Sequence, residues 1–397
     1  MRLWTQTWFV RLLLFACCSY VFAGDSKTRT EQPPTTHDSP LWSTDLKQLG
    51  YRIPSTYASY FRVGADIVKI QFLDSRRIAL AWLVTDQVVE KPGLYKNKSN
   101  VPSHLHLCII DAKTGREISS HDWPTASQGV DIADTASNQW LVASGEAVTL
   151  YSPSFEKIRE LQQAKPRALY RGLTSPSGRT FLIRTTDSHG AWSDQLLDAA
   201  TFEVRDSWND NQFANASYWY SDRSIVAFTL KPAEWLLRTV GKGWAPLPSQ
   251  ENSTQPDRRH FYGFLNDDLL VGRSGKEISV GPAGGLPLFT LAAPEAQLFF
   301  SQLIPSQGDR FATILDRMRG LRSEPLDMYP FPAADRVLVY SIPDQRPIFS
   351  AKVKGPSPWY PKPIWNSVAL SPDGELLGIV SNDGIRVYAL PPRQGKH

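Results

Sequence analysis

The sequence predicts an all-β fold, a seven-bladed β-propeller of four-stranded antiparallel blades whose ring is closed by an N-terminal strand. Three observations predict it. No segment sustains an apolar period of 3.6 residues; short β-rich runs alternate with turn residues over about three hundred residues instead. A strand, tight turn, strand unit recurs seven times. The last unit stops one strand short, while a β-rich stretch stands just ahead of the first.

The clearest unit is the last. Residues 365–370 read as a strand, Ser371-Pro372-Asp373-Gly374 as a tight turn and 375–380 as a second strand; Asn382-Asp383-Gly384 then turns into a third strand at 385–390. The turn chemistry is specific, because Pro presets φ and Gly takes the positive φ that a short hairpin needs. Weaker copies turn at Asp74-Ser75, Thr135-Ala136, Ser175-Pro176-Ser177-Gly178, Ser221-Asp222, Asn266-Asp267 and Ser306-Gln307-Gly308. Successive turns are roughly 62, 40, 46, 44, 41 and 65 residues apart, against about 40 to 50 for a four-stranded blade. The two long steps each contain one extra loop of about twenty residues, and the period is uniform without them.

Third and fourth strands are legible at 106–111 and 116–123 around Lys113-Thr114-Gly115, at 195–198 and 201–208, and at 336–342 and 347–353. Residues 231–244 lack a clear hairpin turn, which leaves the fourth blade the least defined. The last blade runs out at Leu390. Residues 56–63, with Tyr57, Tyr60 and Phe61, precede the first strand at 67–73 and are expected to complete that blade, which removes the open edges of the array. On this reading 24–55 is a flexible leader and 56–392 the propeller. Residues 369–388, Ala-Leu-Ser-Pro-Asp-Gly-Glu-Leu-Leu-Gly-Ile-Val-Ser-Asn-Asp-Gly-Ile-Arg-Val-Tyr, resemble a blade of the YVTN and WD-repeat class of β-propellers. The other blades have diverged, and the Gly-His and Trp-Asp dipeptides of true WD repeats are absent. The resemblance implies the fold and leaves function open, since propellers host scaffolds, sensors, lectins and several enzyme classes.

Of the 397 residues 42% are hydrophobic, with 13 Trp, 14 Tyr and 18 Phe, which is ample material for a large core. The formal net charge is only +4, and no run of five like charges occurs, so nothing points to a nucleic-acid partner. Residues 1–23 read as a secretory signal: Arg2 and Arg11 supply positive charge, 12–23 is apolar, and Val21-Phe22-Ala23 offers small residues for cleavage. That run is too short to span a membrane, so no transmembrane segment is expected in the mature chain, which would be secreted or periplasmic. Leu14-Phe15-Ala16-Cys17 leaves a lipid anchor at Cys17 as an alternative. Cleavage after Ala23 would leave Cys108 as the single cysteine and exclude an intramolecular disulfide. Sequons at Asn97, Asn215 and Asn252 matter only in a glycosylating host.

His104-Leu105-His106-Leu107-Cys108 would align two imidazoles and a thiol on one strand face, a set with metal-ligand chemistry. Same-face neighbours stand nearly 7 Å apart, so the three cannot share one ion on a straight strand, and the row is read as a blade face. No metal, cofactor or catalytic residue is assigned. No Gly-x-Ser-x-Gly elbow accompanies the few histidines, and Gly281-Pro282-Ala283-Gly284-Gly285 is followed by no helix, so it is read as an outer turn of the fifth blade.

The placement of long loops carries the functional expectation. Residues 86–103 and 316–335 link second to third strands, and 248–260 and 355–364 link blades; in four-stranded blades both kinds of link emerge on one face. Partner-binding candidates there are Tyr95 and Lys96, then Arg319, Arg322, Tyr329 and Phe331, then Arg258, then Trp359, Tyr360 and Trp365. Aromatic and Arg side chains are the usual anchors of protein interfaces, and the same aromatics stack on sugars. The expected function is non-catalytic binding of a protein or glycan through this face. The alternative is a hydrolase or lyase acting on a glycan or peptide, which would need a His and a carboxylate, or two carboxylates, converging at the funnel mouth.

Overall fold

The computed structural model describes residues 39–51, 68–85, 103–125, 130–137, 139–144, 147–162, 168–175, 177–186, 192–209, 217–230, 233–247, 261–266, 268–274, 276–282, 287–295, 298–305, 308–318, 332–353, 367–381 and 384–393. These form seven four-stranded sheets, six hydrogen-bonded in simple sequential order and the seventh completed by a strand from the beginning of the chain, as a closed seven-bladed propeller requires.

The first blade comprises Lys69–Phe72, Arg77–Thr85, Ser103–Asp111 and Glu117–Thr125; the second Val130–Asp134, Trp140–Ser144, Ala147–Tyr151 and Lys157–Gln162. The third comprises Ala168–Thr174, Thr180–Thr186, Trp192–Asp198 and Val204–Trp208; the fourth Ser217–Tyr220, Ser224–Leu230, Ala233–Thr239 and Trp244–Pro246. The fifth comprises Phe261–Phe264, Leu269–Ser274, Glu277–Pro282 and Phe289–Ala292; the sixth Leu298–Ile304, Arg310–Met318, Pro332–Ser341 and Arg346–Lys352. The seventh takes Ser367–Leu370, Leu376–Ser381 and Gly384–Ala389 from the end of the chain and Trp42–Thr44 from its beginning.

All seven turns read from the sequence join the first and second strands of a blade. In three of them, at Asp74, Ser221 and Asn266, a side-chain oxygen closes the turn on backbone N–H groups two and three residues ahead. Asp74 accepts from Arg76 and Arg77, and Asn266 from Asp268 and Leu269. In the fourth blade the turn missing from the sequence pattern is at 240–243, where Gly241 takes φ +76°.

An N-terminal strand does close the ring, but it is Trp42–Thr44. Residues 56–63 lie outside the described residues. The closing strand pairs antiparallel with Gly384–Ala389, Trp42 opposite Val387 and Thr44 opposite Ile385. It thus lies within the stretch 24–55 read as a leader. β-propensity drew attention to the tyrosines of 56–63, whereas closure depends on fitted contacts. Trp42 Nε1 donates to the Ala112 carbonyl at 2.8 Å. Its ring lies where Gly115 has no side chain: a Cβ there would come within 2.6 Å of it. Gly384 has φ +138°, and a Cβ would collide with the Thr44 carbonyl oxygen. After this strand Asp45 caps a single 3₁₀ turn, Leu46–Leu49, which Gly50 ends in the left-handed region, and Tyr51 is then buried.

The core consists of the seams between blades. Between the seventh and first blades, Val380, Ile385 and Val387 meet Ile70, Phe72, Ile78, Leu80, Trp82 and Ile110, with Leu46 and Tyr51 packed in. Each such side chain contributes about 1.5–3 kcal/mol when fully buried. Gly378 lets the two blades approach, since a Cβ would sit 2.5 Å from Ile70 Cδ1.

Candidate interaction face

Antiparallel order decides which connections share a face. If first strands run up, second strands run down, third up and fourth down; second-to-third links and blade-to-blade links therefore leave from the same side. The strand ends flanking the long segments all lie there: Thr85 and Ser103, Pro246 and Phe261, Met318 and Pro332, Lys352 and Ser367. The strands also extend further into these segments than the sequence indicated, so that Arg317 belongs to Arg310–Met318 and Asp335 to Pro332–Ser341. Tyr95, Lys96, Arg258, Arg319, Arg322, Tyr329, Phe331, Trp359, Tyr360 and Trp365 all lie outside the described residues.

Two polar clusters of described residues stand at the base of these segments. The first is on the sixth blade. Leu315 pairs with Arg336 and Asp316 with Ala334, so Asp335 is an extra residue, a β-bulge, with no partner across the ladder. Bulges re-aim side chains, and here Asp335 accepts a hydrogen bond from Arg317 Nε at 2.9 Å. Glu295, on the link from the fifth blade, bridges two strands: Oε2 accepts from Arg317 at 2.8 Å and Oε1 from Arg336 at 3.0 Å. These carboxylates hold the Arg317 guanidinium pKa above its ordinary value, the Asp335 hydrogen bond contributing most. Arg336 is buried, and its Nε has no hydrogen-bond partner. Glu295, Asp335 and Arg336 were not singled out by sequence; the bulge that assembles them leaves no motif.

The second cluster holds the His104, His106 and Cys108 row. Cys108 is fully buried in the seam core, where burial, followed by the charge of Glu117, pushes its thiol up to about 12. The two histidines are joined instead by Asp122, the cross-strand neighbour of His106. His106 Nδ1 lies 2.6 Å from Asp122 Oδ1, and His104 Nε2 is 3.6 Å from the same oxygen. Trp82, opposite His106 on the second strand, packs its ring 4.6 Å from the imidazole. Among the described residues no group of three or more His, Cys, Asp and Glu has the geometry to hold a metal ion. The His106–Asp122 pair joins the third and fourth strands, the outer half of the blade, and not the funnel mouth, where the alternative enzyme reading would need such a pair.

No protein-family profile and no curated protein matches the chain. Solved structures similar in outline include the C-terminal WD40 domain of Sif2, 12% identical over 90% of this chain and 99% of that one, with a TM-score of 0.47. A chain of a mitotic checkpoint complex is 13% identical over 91% and 98%, TM-score 0.43. Hsv2 of Kluyvelomyces marxianus is 13% identical over 72% and 87%, TM-score 0.45. The chain is a seven-bladed β-propeller on its own strand order. No helix among the described residues is long and apolar enough to cross a membrane.

Proposed function

We propose that this protein is an exported, non-catalytic propeller that binds a protein partner through the face carrying the long connections. The supporting observation is that the strand ends flanking four long segments lie on one side of the disc, and that the sequences of those segments are rich in Trp, Tyr, Phe and Arg. Aromatic and Arg side chains supply most interface anchors. Residues 1–23 support export to the periplasm or exterior. A glycan would use the same aromatics for stacking, and it is the second ligand class to test.

The test compares wild type with Trp359→Ala/Tyr360→Ala. A partner captured on the wild-type protein is purified and titrated against both forms, and a glycan array is run in parallel. The expected result is affinity for a protein at least tenfold weaker in the variant, with little change in Tm. Intact binding with a large thermal loss would show that these aromatics serve packing. Turnover of a glycan or peptide by the wild type would favour the enzyme reading.

A further inference from the structure

We infer that Arg317 and Arg336 form a recognition point for a carboxylate on an acidic segment of the partner, and that Glu295 occupies this point in the unliganded protein. The inference rests on the face being the partner-binding one.

The geometry is that of a bound acidic side chain. One carboxylate engages two guanidiniums, Oε2 with Arg317 at 2.8 Å and Oε1 with Arg336 at 3.0 Å, the two arginines coming from adjacent strands. The receptor side is fixed. Asp335 stands at a bulge, its carbonyl accepts from Val353 N–H at 2.9 Å, and its carboxylate orients Arg317. Arg336 is only 8% exposed, and its buried Nε, without a hydrogen-bond partner, stands 4.0 Å from Asp335 Oδ2, so Asp335 faces both guanidiniums. The occupant is the exposed element: the Glu295 side chain is 41% accessible and lies on a connection between blades. On the Glu295 side the pair is open to solvent, which screens it, and an incoming carboxylate restores the hydrogen bonds that Glu295 gives up. With Glu295 displaced, two arginines face one aspartate in this group of described residues, which then carries net positive charge. A carboxylate fits the fork of a guanidinium in two parallel hydrogen bonds. Aspartate or glutamate side chains of a protein segment are therefore the chemistry that matches.

A self-occupied site lowers apparent affinity by the fraction of time it is filled, and removing the occupant restores that fraction. The probe is a fluorescein-labelled hexaglutamate peptide, titrated at low ionic strength against wild type, Glu295→Gln, Arg317→Gln and Arg223→Gln. Arg223 lies on a first-to-second-strand turn on the opposite face and controls for net charge. Glu295→Gln is expected to bind about fivefold tighter and Arg317→Gln about tenfold weaker, with Arg223→Gln like wild type. Thermal melts confirm that each variant is folded; Arg336 is left intact because it is buried. Absence of wild-type binding, an unchanged or weaker Glu295→Gln, or equal losses in Arg317→Gln and Arg223→Gln would each overturn the proposal. If it fails while Trp359→Ala/Tyr360→Ala still loses the partner, the face stands and this recognition point does not.

Discussion

The seam between the seventh and first blades and those around the fourth blade are held together differently. The first joins the two ends of the chain. Pairing Trp42 with Val387 closes a loop of about 345 residues, an entropic cost of about 5 kcal/mol beyond a constant. Large buried apolar side chains line it, and three glycines, Gly115, Gly378 and Gly384, leave room for close approach. Around the fourth blade the chain is continuous and the described apolar packing is thinner: Val226, Phe264 and Leu270 are its buried members toward the fifth blade. Toward the third blade polar contacts supplement the packing. Arg238 makes two hydrogen bonds to Asp206, at 2.7 and 2.8 Å, and lies over the rings of Trp208 and Trp244. Asp222 accepts from Ser177 and Thr180. Closure without covalent continuity needs area and shape; a continuous seam can rely on a few directional bonds.

The largest effect should come from breaking the closing strand pair at Gly384, within the seventh blade. Gly384→Ala combines an unfavourable positive φ with a clash against the Thr44 carbonyl and is expected to cost about 3–5 kcal/mol in urea unfolding. Trp42→Ala leaves the buried Ala112 carbonyl without its donor and opens a gap over Gly115, for about 2–3 kcal/mol by the same measurement.

At the third-to-fourth seam, Asp206→Asn should cost about 1.5–3 kcal/mol at pH 7 and change the acid response. Burial raises the Asp206 pKa, but hydrogen bonds from Arg238 and from the Gly241 N–H outweigh it, and the net shift is downward. A depressed folded-state pKa gives stability that is present above the unfolded value of about 3.9 and lost as pH falls through the folded value. Denaturant midpoints measured below about pH 4 should therefore fall less steeply in Asp206→Asn than in wild type; equal slopes would mean that Asp206 is not the group responsible. The smallest effect belongs to the fourth-to-fifth seam. Arg223 Nη1 stands 3.6 Å from Asp268 with both side chains well exposed, and Arg223→Ala should change stability by less than about 0.5 kcal/mol.

The contrast also explains what the sequence could disclose. Tight turns depend on residues adjacent in the chain, so Ser371 to Gly374 and six weaker copies could be read directly. The polarity of the disc followed once strand order was right. Trp42 was invisible as a closing residue because its partners, Ala112, Gly115 and Val387, are remote in sequence and are gathered only by the ring. The His104, His106 and Cys108 row was correctly placed on one strand, yet burial sent the thiol into the seam while Asp122 arrived from the next strand. Arg317, Glu295 and Arg336 could not be grouped, because a one-residue bulge decides where Asp335 points.

The clasp at Gly384 also imposes an order on assembly. During synthesis Trp42 to Thr44 emerge early and have nothing to pair with until Gly384 to Ala389 follow, so the seventh blade stays open until nearly all of the ring has been made. Each nascent chain presents an unsatisfied strand edge at both ends throughout that interval. The blade can therefore close only once the final strand is available.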